Sequence, residues 1–168
     1  MSSNDDARGR MLGVDPGRKR IGFALSDELG VIARPLEVWL CRSKQRDARR
    51  VAELARAHDV VAIVVGIARN LEDGSDSSST RWARAFVEAI RAVMPDIPIL
   101  ERDEALTSWE AEHRLRAAGR TMGSGVPIDA YAAALILQDE LDERARHRAH
   151  DQPENDPEKD SEKDPEGY

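Results

Sequence analysis

The sequence predicts an α/β fold: a mixed five-stranded sheet whose first three strands form an antiparallel meander, with helices on both faces. Three observations carry this. Apolar runs at Leu12–Asp15, Ile21–Ser26 and Val31–Trp39 are separated by short turns, the pattern of consecutive hairpins. The β-branched run Val60–Val65 lacks polar alternation and reads as a strand covered on both faces. Helical periodicities stand on either side of that run, and strands alternating with helices make parallel crossovers.

Each element has a local reason. Pro16-Gly17 turns the chain between the first two strands, and Asp27-Glu28-Leu29-Gly30 turns it again. After a capping Ser43, the residues Ala48, Val51, Ala52 and Ala55 recur at helical spacing. Gly74–Ser79 reads as a polar loop, and a helix follows in which Trp82, Ala83, Phe86, Val87, Ile90 and Val93 share one side. Pro95 ends it, and Ile97–Leu100 is the fifth strand. Thr107-Ser-Trp-Glu110 has the form of a capping box, opening a helix to about Ala118. Gly119–Pro127 is a loop, and Asp129 opens an apolar helix from Ala130 to about Leu141 that packs on the sheet. The three tryptophans, at 39, 82 and 109, read as core residues rather than stacking platforms.

The chain has 168 residues, enough for one domain with a true core and a tail. Residues 1–9 are expected to be flexible, 10–146 to form the domain and 147–168 to be a disordered acidic tail. From Asp151 onward eight acids face two lysines, so of the formal net charge of −7 only −1 belongs to residues 1–150. A nearly neutral, arginine-rich body lacks the signature of a dedicated duplex binder but is compatible with nucleic-acid binding. Cys41 is the single cysteine, so an internal disulfide is excluded and a reducing, cytoplasmic setting is expected. The polar start has no signal-like apolar stretch, and no run is long enough to span a bilayer. The histidines form no zinc pattern, and no nucleophile elbow or Walker-type lysine loop is present.

The informative stretch is Met11–Ser26. Its first strand brings Asp15 to the mouth of a hairpin whose turn carries Arg18, Lys19 and Arg20. A carboxylate beside glycine and cations suits joint binding of a metal and a phosphate; equally, Asp-Pro-Gly sets turn angles. If the first strand is central, the crossover reverses beside it and leaves a crevice at its carboxyl end. Glu104, just after the fifth strand, falls on the same edge, and Asp129 opens a helix that can lean across the first strand. Three carboxylates from distant segments make an all-oxygen site for Mg²⁺ or Mn²⁺. Each acid also has an ordinary use: Asp129 as a helix cap, Glu104 as an exposed loop acid, and Asp103 as either a ligand or a residue that orients one.

At these residues the chain resembles the YqgF/RuvX family, RuvC-like nucleases with an RNase H-type fold. Four blocks over about residues 10–142 carry the likeness: Val14-Asp-Pro-Gly-Arg-Lys-Arg-Ile-Gly22, Val65-Gly-Ile-Ala-Arg-Asn70 with Gly74, Asp103-Glu-Ala-Leu-Thr-Ser-Trp-Glu-Ala111, and Ile128-Asp-Ala-Tyr-Ala-Ala-Ala134 leading to Ile136-Leu137. The resemblance implies that Asp15, Glu104 and Asp129 are the catalytic metal ligands; Asp103 and Thr107 are expected to stand behind them. It implies one of two substrates, a four-way DNA (Holliday) junction or the 5′ end of precursor 16S rRNA. Arg18 and Lys19 are expected on backbone phosphates. The family's usual arginine after the Asp-Glu pair is Ala105 here, its Leu-Pro is Ile67-Ala68, and its lysine before the last helix is missing around Val126-Pro127. Arg69, Arg102 and Arg120 are the cations available to compensate.

The expected activity is therefore a metal-dependent endonuclease. Two other classes are weighed beside it. A non-catalytic nucleic-acid- or ribosome-associated module would keep the fold without turnover. An ATP-dependent phosphotransferase of the actin-like superfamily would need a second domain and a second phosphate hairpin, for which the chain lacks room. Paired cutting of a junction calls for two sites related by two-fold symmetry and hence a homodimer; RNA trimming does not.

Overall fold

The computed structural model describes residues 9–67, 77–103 and 127–150. The capping-box helix, Glu104, Arg69, Thr107, Arg120 and the acidic stretch from Asp151 all lie outside the described residues. The elements are β1 (Met11–Pro16), β2 (Arg20–Ser26), β3 (Ala33–Leu40), α1 (Lys44–Ala57), β4 (Ala62–Ile67), α2 (Ser78–Val93), β5 (Ile99–Asp103) and α3 (Ile128–His150). The sheet order is β3-β2-β1-β4-β5, so β1 is central. β1–β2 and β2–β3 pair antiparallel, whereas β1–β4 and β4–β5 pair parallel. This is the predicted mixed sheet with its meander, an RNase H-like α/β fold.

Strand alternation divides β1 between two cores. Leu12 and Val14 point, with Ile21, Phe23, Ile63 and Val65, into the cluster covered by α1 and α2, where Val51, Phe86, Val87 and Ile90 are fully buried. Met11 belongs to the opposite cluster, closed by Ala133, Ile136, Leu137 and Leu141 of α3. α3 lies very close to the sheet because the residues beneath it are small. A Cβ on Gly13 would meet the Ala133 carbonyl oxygen at 2.8 Å, and Ala24 and Ala62 are buried on the same face.

Boundaries moved where charge replaced apolar pattern. β4 starts at Ala62 because the chain turns through Asp59, whose φ is 51°. β5 runs to Asp103, past the apolar Ile97–Leu100. As an edge strand it ends in charged residues satisfied from both sides: Glu101 pairs with Arg91 of α2, and Arg102 with Glu140 and Glu143 of α3. α3 runs past Leu141 to His150, sustained by pairs such as Arg144–Glu140 at 2.8 Å one turn apart. Among the described residues no helix is long and apolar enough to cross a membrane.

Candidate active site at the carboxyl edge of the sheet

The parallel strands β1, β4 and β5 end at one edge of the sheet, with Asp15, Ile67 and Asp103 at or next to their ends. Asp15 follows Met11 and Gly13 in the alternation, so it belongs to the face covered by α3. Directly across from it on β2 stands Gly22. A Cβ on Gly22 would come within 1.8 Å of the backbone carbonyl oxygen of Asp129. The first turn of α3 thus occupies the space of the side chain that any other residue would place opposite Asp15. Cross-strand partners hold their β-carbons about 5 Å apart, so Asp15 and Asp129 are neighbours at the same edge.

Asp129 is held there by an ion pair. Its Oδ2 lies 3.1 Å from Nε of Arg20, the first residue of β2, and its side chain is 32% exposed. Arg20 was visible in the sequence as one of three turn cations, but not as the partner of an acid 109 positions later. The signal that could have found it is Gly22: a glycine inside a strand marks close approach of another backbone.

The turn between β1 and β2 is closed by Gly17 N–H donating to the Arg20 carbonyl at 3.0 Å. A Cβ on Gly17 would meet that carbonyl oxygen at 2.4 Å, so glycine is required for so tight a turn. Arg18 and Lys19 are left exposed at its tip, beside Asp15. β3 buttresses the turn, since Cys41 N–H donates to the Lys19 carbonyl at 3.0 Å and the Cys41 thiol to the Gly17 carbonyl at 3.3 Å. Burial first, and then the charge of Asp47, push the Cys41 thiol pKa above its ordinary value.

The remaining expected residues fall as follows. Asp103 is exposed and stands two positions after Glu101, which points to Arg91 of α2; alternation gives Asp103 that face, opposite to Asp15. Arg102 faces α3, its guanidinium between Glu140 at 2.8 Å and Glu143. Burial works against the Arg102 charge, but the hydrogen bonds it donates to Glu143 and Glu140 outweigh that and raise its pKa. Its charge is matched inside the fold. Trp39 and Trp82 pack against the core as expected, and Trp109 lies outside the described residues.

Among the described residues no group of three or more potential metal ligands is assembled. The two described acids nevertheless fit a hard divalent ion, because they offer carboxylate oxygens from a central strand and a helix start packed over it.

Comparison with known proteins follows the same region. The family model described as "RuvX: Holliday junction resolvase" matches residues 9–143. A protein of Anaeromyxobacter sp. (strain K) named "Putative pre-16S rRNA nuclease" is 43% identical, over 81% of this chain and 98% of its own. A protein of the same name from Nocardia farcinica is 40% identical, over 85% of this chain and 83% of its own. Among solved structures, Thermus thermophilus RuvC in complex with a Holliday junction substrate superposes with a TM-score of 0.54 at 18% identity, over 81% of this chain and 96% of that one. That likeness is one of fold.

Proposed function

The chain belongs to the RuvX family, and from that premise we propose that it is an endonuclease that hydrolyses phosphodiester bonds of structured nucleic acid with Mg²⁺ or Mn²⁺. The observation that carries this is the approach of Asp129 to Asp15 across Gly22 at the carboxyl edge. Nothing but a glycine permits it, and two carboxylates brought together repel unless cations neutralise them.

In this reading Asp15, Glu104 and Asp129 hold the metal. Glu104 follows directly after Asp103, the last residue of β5 at the same carboxyl edge. A divalent ion held there supplies an activated water and stabilises charge on the leaving oxygen. Water adds to phosphorus in line, and the bond from phosphorus to the leaving oxygen breaks, giving one phosphate end and one hydroxyl end. Asp15, rooted in the central strand, fixes the position of the reaction. Arg20 orients Asp129. Arg18 and Lys19 contact the phosphates flanking the scissile bond, with Arg69 and Arg120 as further cations. Arg102, tied to α3, fixes the end of β5; Thr107 orients the ligands, a role that Asp103, on the α2 face opposite to Asp15, does not share.

The 5′ end of pre-16S rRNA is the first substrate to test, because relatives at 40% identity and above carry that name. The four-way DNA junction is the second, favoured by the family's description. The experiment is incubation of the protein with a labelled pre-16S 5′-leader RNA and a labelled junction, with and without Mn²⁺. Metal-dependent cutting of the RNA alone is the expected result. Symmetric paired cuts in the junction would instead establish a dimeric resolvase, and no cutting of either would leave a non-catalytic binding module.

A further inference from the structure

We infer that Arg42, Arg46 and Arg49, at the start of α1, form a second nucleic-acid backbone subsite that carries an arm of the substrate away from the carboxyl edge. This rests on the nuclease reading above and extends it to a surface remote from the acids.

The three arginines are exposed and line one depression of about 430 Å³, together with Trp39, Arg50 and Glu53. Arg46 and Arg49 are three positions apart on α1 and so lie on the same side of the helix, less than one turn apart. Arg42 precedes the Ser43 cap and extends that row. Its position is fixed, because Arg42 N–H and Trp39 Nε1–H both donate to Oδ1 of the buried Asp47 at 3.0 Å. Arg50 is the structural member of the group. It lies over the Trp39 ring at 5.1 Å and is paired with Glu37 at 2.8 Å and Glu53 at 3.1 Å.

Charge matching separates the row from the arginines that tie elements of the fold together. Arg10, Arg20, Arg50, Arg91, Arg102 and Arg144 all have carboxylate partners. Arg42, Arg46 and Arg49 have none among the described residues. Like charges at this helical spacing repel and weaken the helix, and an anion along the row relieves that repulsion.

Continuity with the site identifies the anion. Cys41, next to Arg42, is hydrogen-bonded to both Lys19 and Gly17 of the β1–β2 turn, and Leu40 pairs with Arg20. Arg18 and Lys19 at the turn therefore run on into Arg42, Arg46 and Arg49 as one basic track, in a body whose residues 1–150 carry a net charge of −1. A polyanion seated at the carboxyl edge has this track as its neutralising path. Phosphate contacts of this kind position the strand without reading its sequence.

The test is fluorescence anisotropy of the full chain with a labelled four-way junction and a labelled pre-16S 5′-leader RNA, in EDTA to prevent cutting, at several salt concentrations. Arg42→Ala/Arg46→Ala/Arg49→Ala is expected to weaken binding at least about tenfold and to flatten the slope of log K against log salt by about 2 to 3. The corresponding triple lysine variant is expected to restore the slope, because the contact is with charge. With Mn²⁺, the alanine triple raises KM and leaves kcat at saturation unchanged. If that triple fails to fold, Arg46→Glu and Arg49→Glu, at exposed helix positions, are each expected to weaken binding. Wild-type binding with unaltered affinity and slope in the alanine variant, or a lysine variant that fails to restore the slope, overturns the subsite alone. Wild-type protein that binds neither nucleic acid overturns the nuclease reading as well.

Discussion

A β-carbon on Gly22 would sit 1.8 Å from the carbonyl oxygen of Asp129, far inside van der Waals contact. Gly22→Ala must therefore push the first turn of α3 off the sheet. Overpacking of this kind costs about 3 kcal/mol, so a urea titration should show that loss, and nuclease activity should fall with it. Gly13→Ala meets its neighbours only at 2.8 Å and should cost less. Asp15→Asn keeps the shape and removes the charge; it should abolish cleavage while leaving the thermal transition within a few degrees of wild type. Cys41 gives a prediction of another kind. Its raised pKa, set by burial and then by Asp47, keeps the thiol protonated at neutral pH, so alkylation by iodoacetamide should be slower than for free cysteine and should accelerate only as the medium becomes more alkaline. At this scale the sequence was partly legible. Asp15 and Asp129 could be named from their places after a strand and before a helix. That Arg20 binds Asp129 could not, because the pair depends on how α3 settles over two glycines.

The elements were readable wherever burial imposed a period. Ser43 caps α1 by accepting from Arg46 N–H at 3.3 Å, and the expected stripe of α2 is the buried one, with Ala83, Phe86, Val87 and Ile90 inward. The ends of β5 and α3 were not readable, because charged pairs there do the work of apolar residues. Arg102 is the hinge of that arrangement, joining β5 to Glu140 and Glu143. Arg102→Met should cost roughly 1–2 kcal/mol, since Glu140 is only 13% exposed and loses a partner. The pH dependence follows from Glu143, whose pKa is held below the ordinary 4.5 by the hydrogen bond and charge of Arg102. A lowered folded-state pKa contributes stability above the unfolded value, and that contribution disappears as pH falls through the folded one. The difference in melting temperature between wild type and Arg102→Met should therefore be full at neutral pH and shrink below about pH 4.5. A constant difference down to strongly acid pH would show that Glu143 is not part of the link.

For the whole molecule, the order β3-β2-β1-β4-β5 places a central strand between an antiparallel half and a parallel half. The parallel half brings strand ends to one edge, and the antiparallel half brings the basic turn to the same edge. α3 runs from that edge mainly over the antiparallel half, packing on β2, β3 and β1 and to a lesser extent on β4. Acids and cations from segments more than a hundred residues apart thus share one rim of the sheet. The meander, the crossovers and the apolar last helix were enough to predict the mixed sheet with helices on both faces, but the central place of β1 stood there only as a condition. The juxtaposition of the acids was also implied by a family likeness, and the packing at Gly22 now gives it a physical basis. The central claim is that Asp15 and Asp129 together hold a divalent cation at this rim. Calorimetric titration of Mn²⁺ into the wild-type protein, Asp15→Asn and Asp129→Asn tests it most directly. Binding by the wild type is expected, with affinity reduced at least about tenfold in each variant, an effect of about 1.4 kcal/mol or more. Equal Mn²⁺ affinity in all three proteins would contradict it.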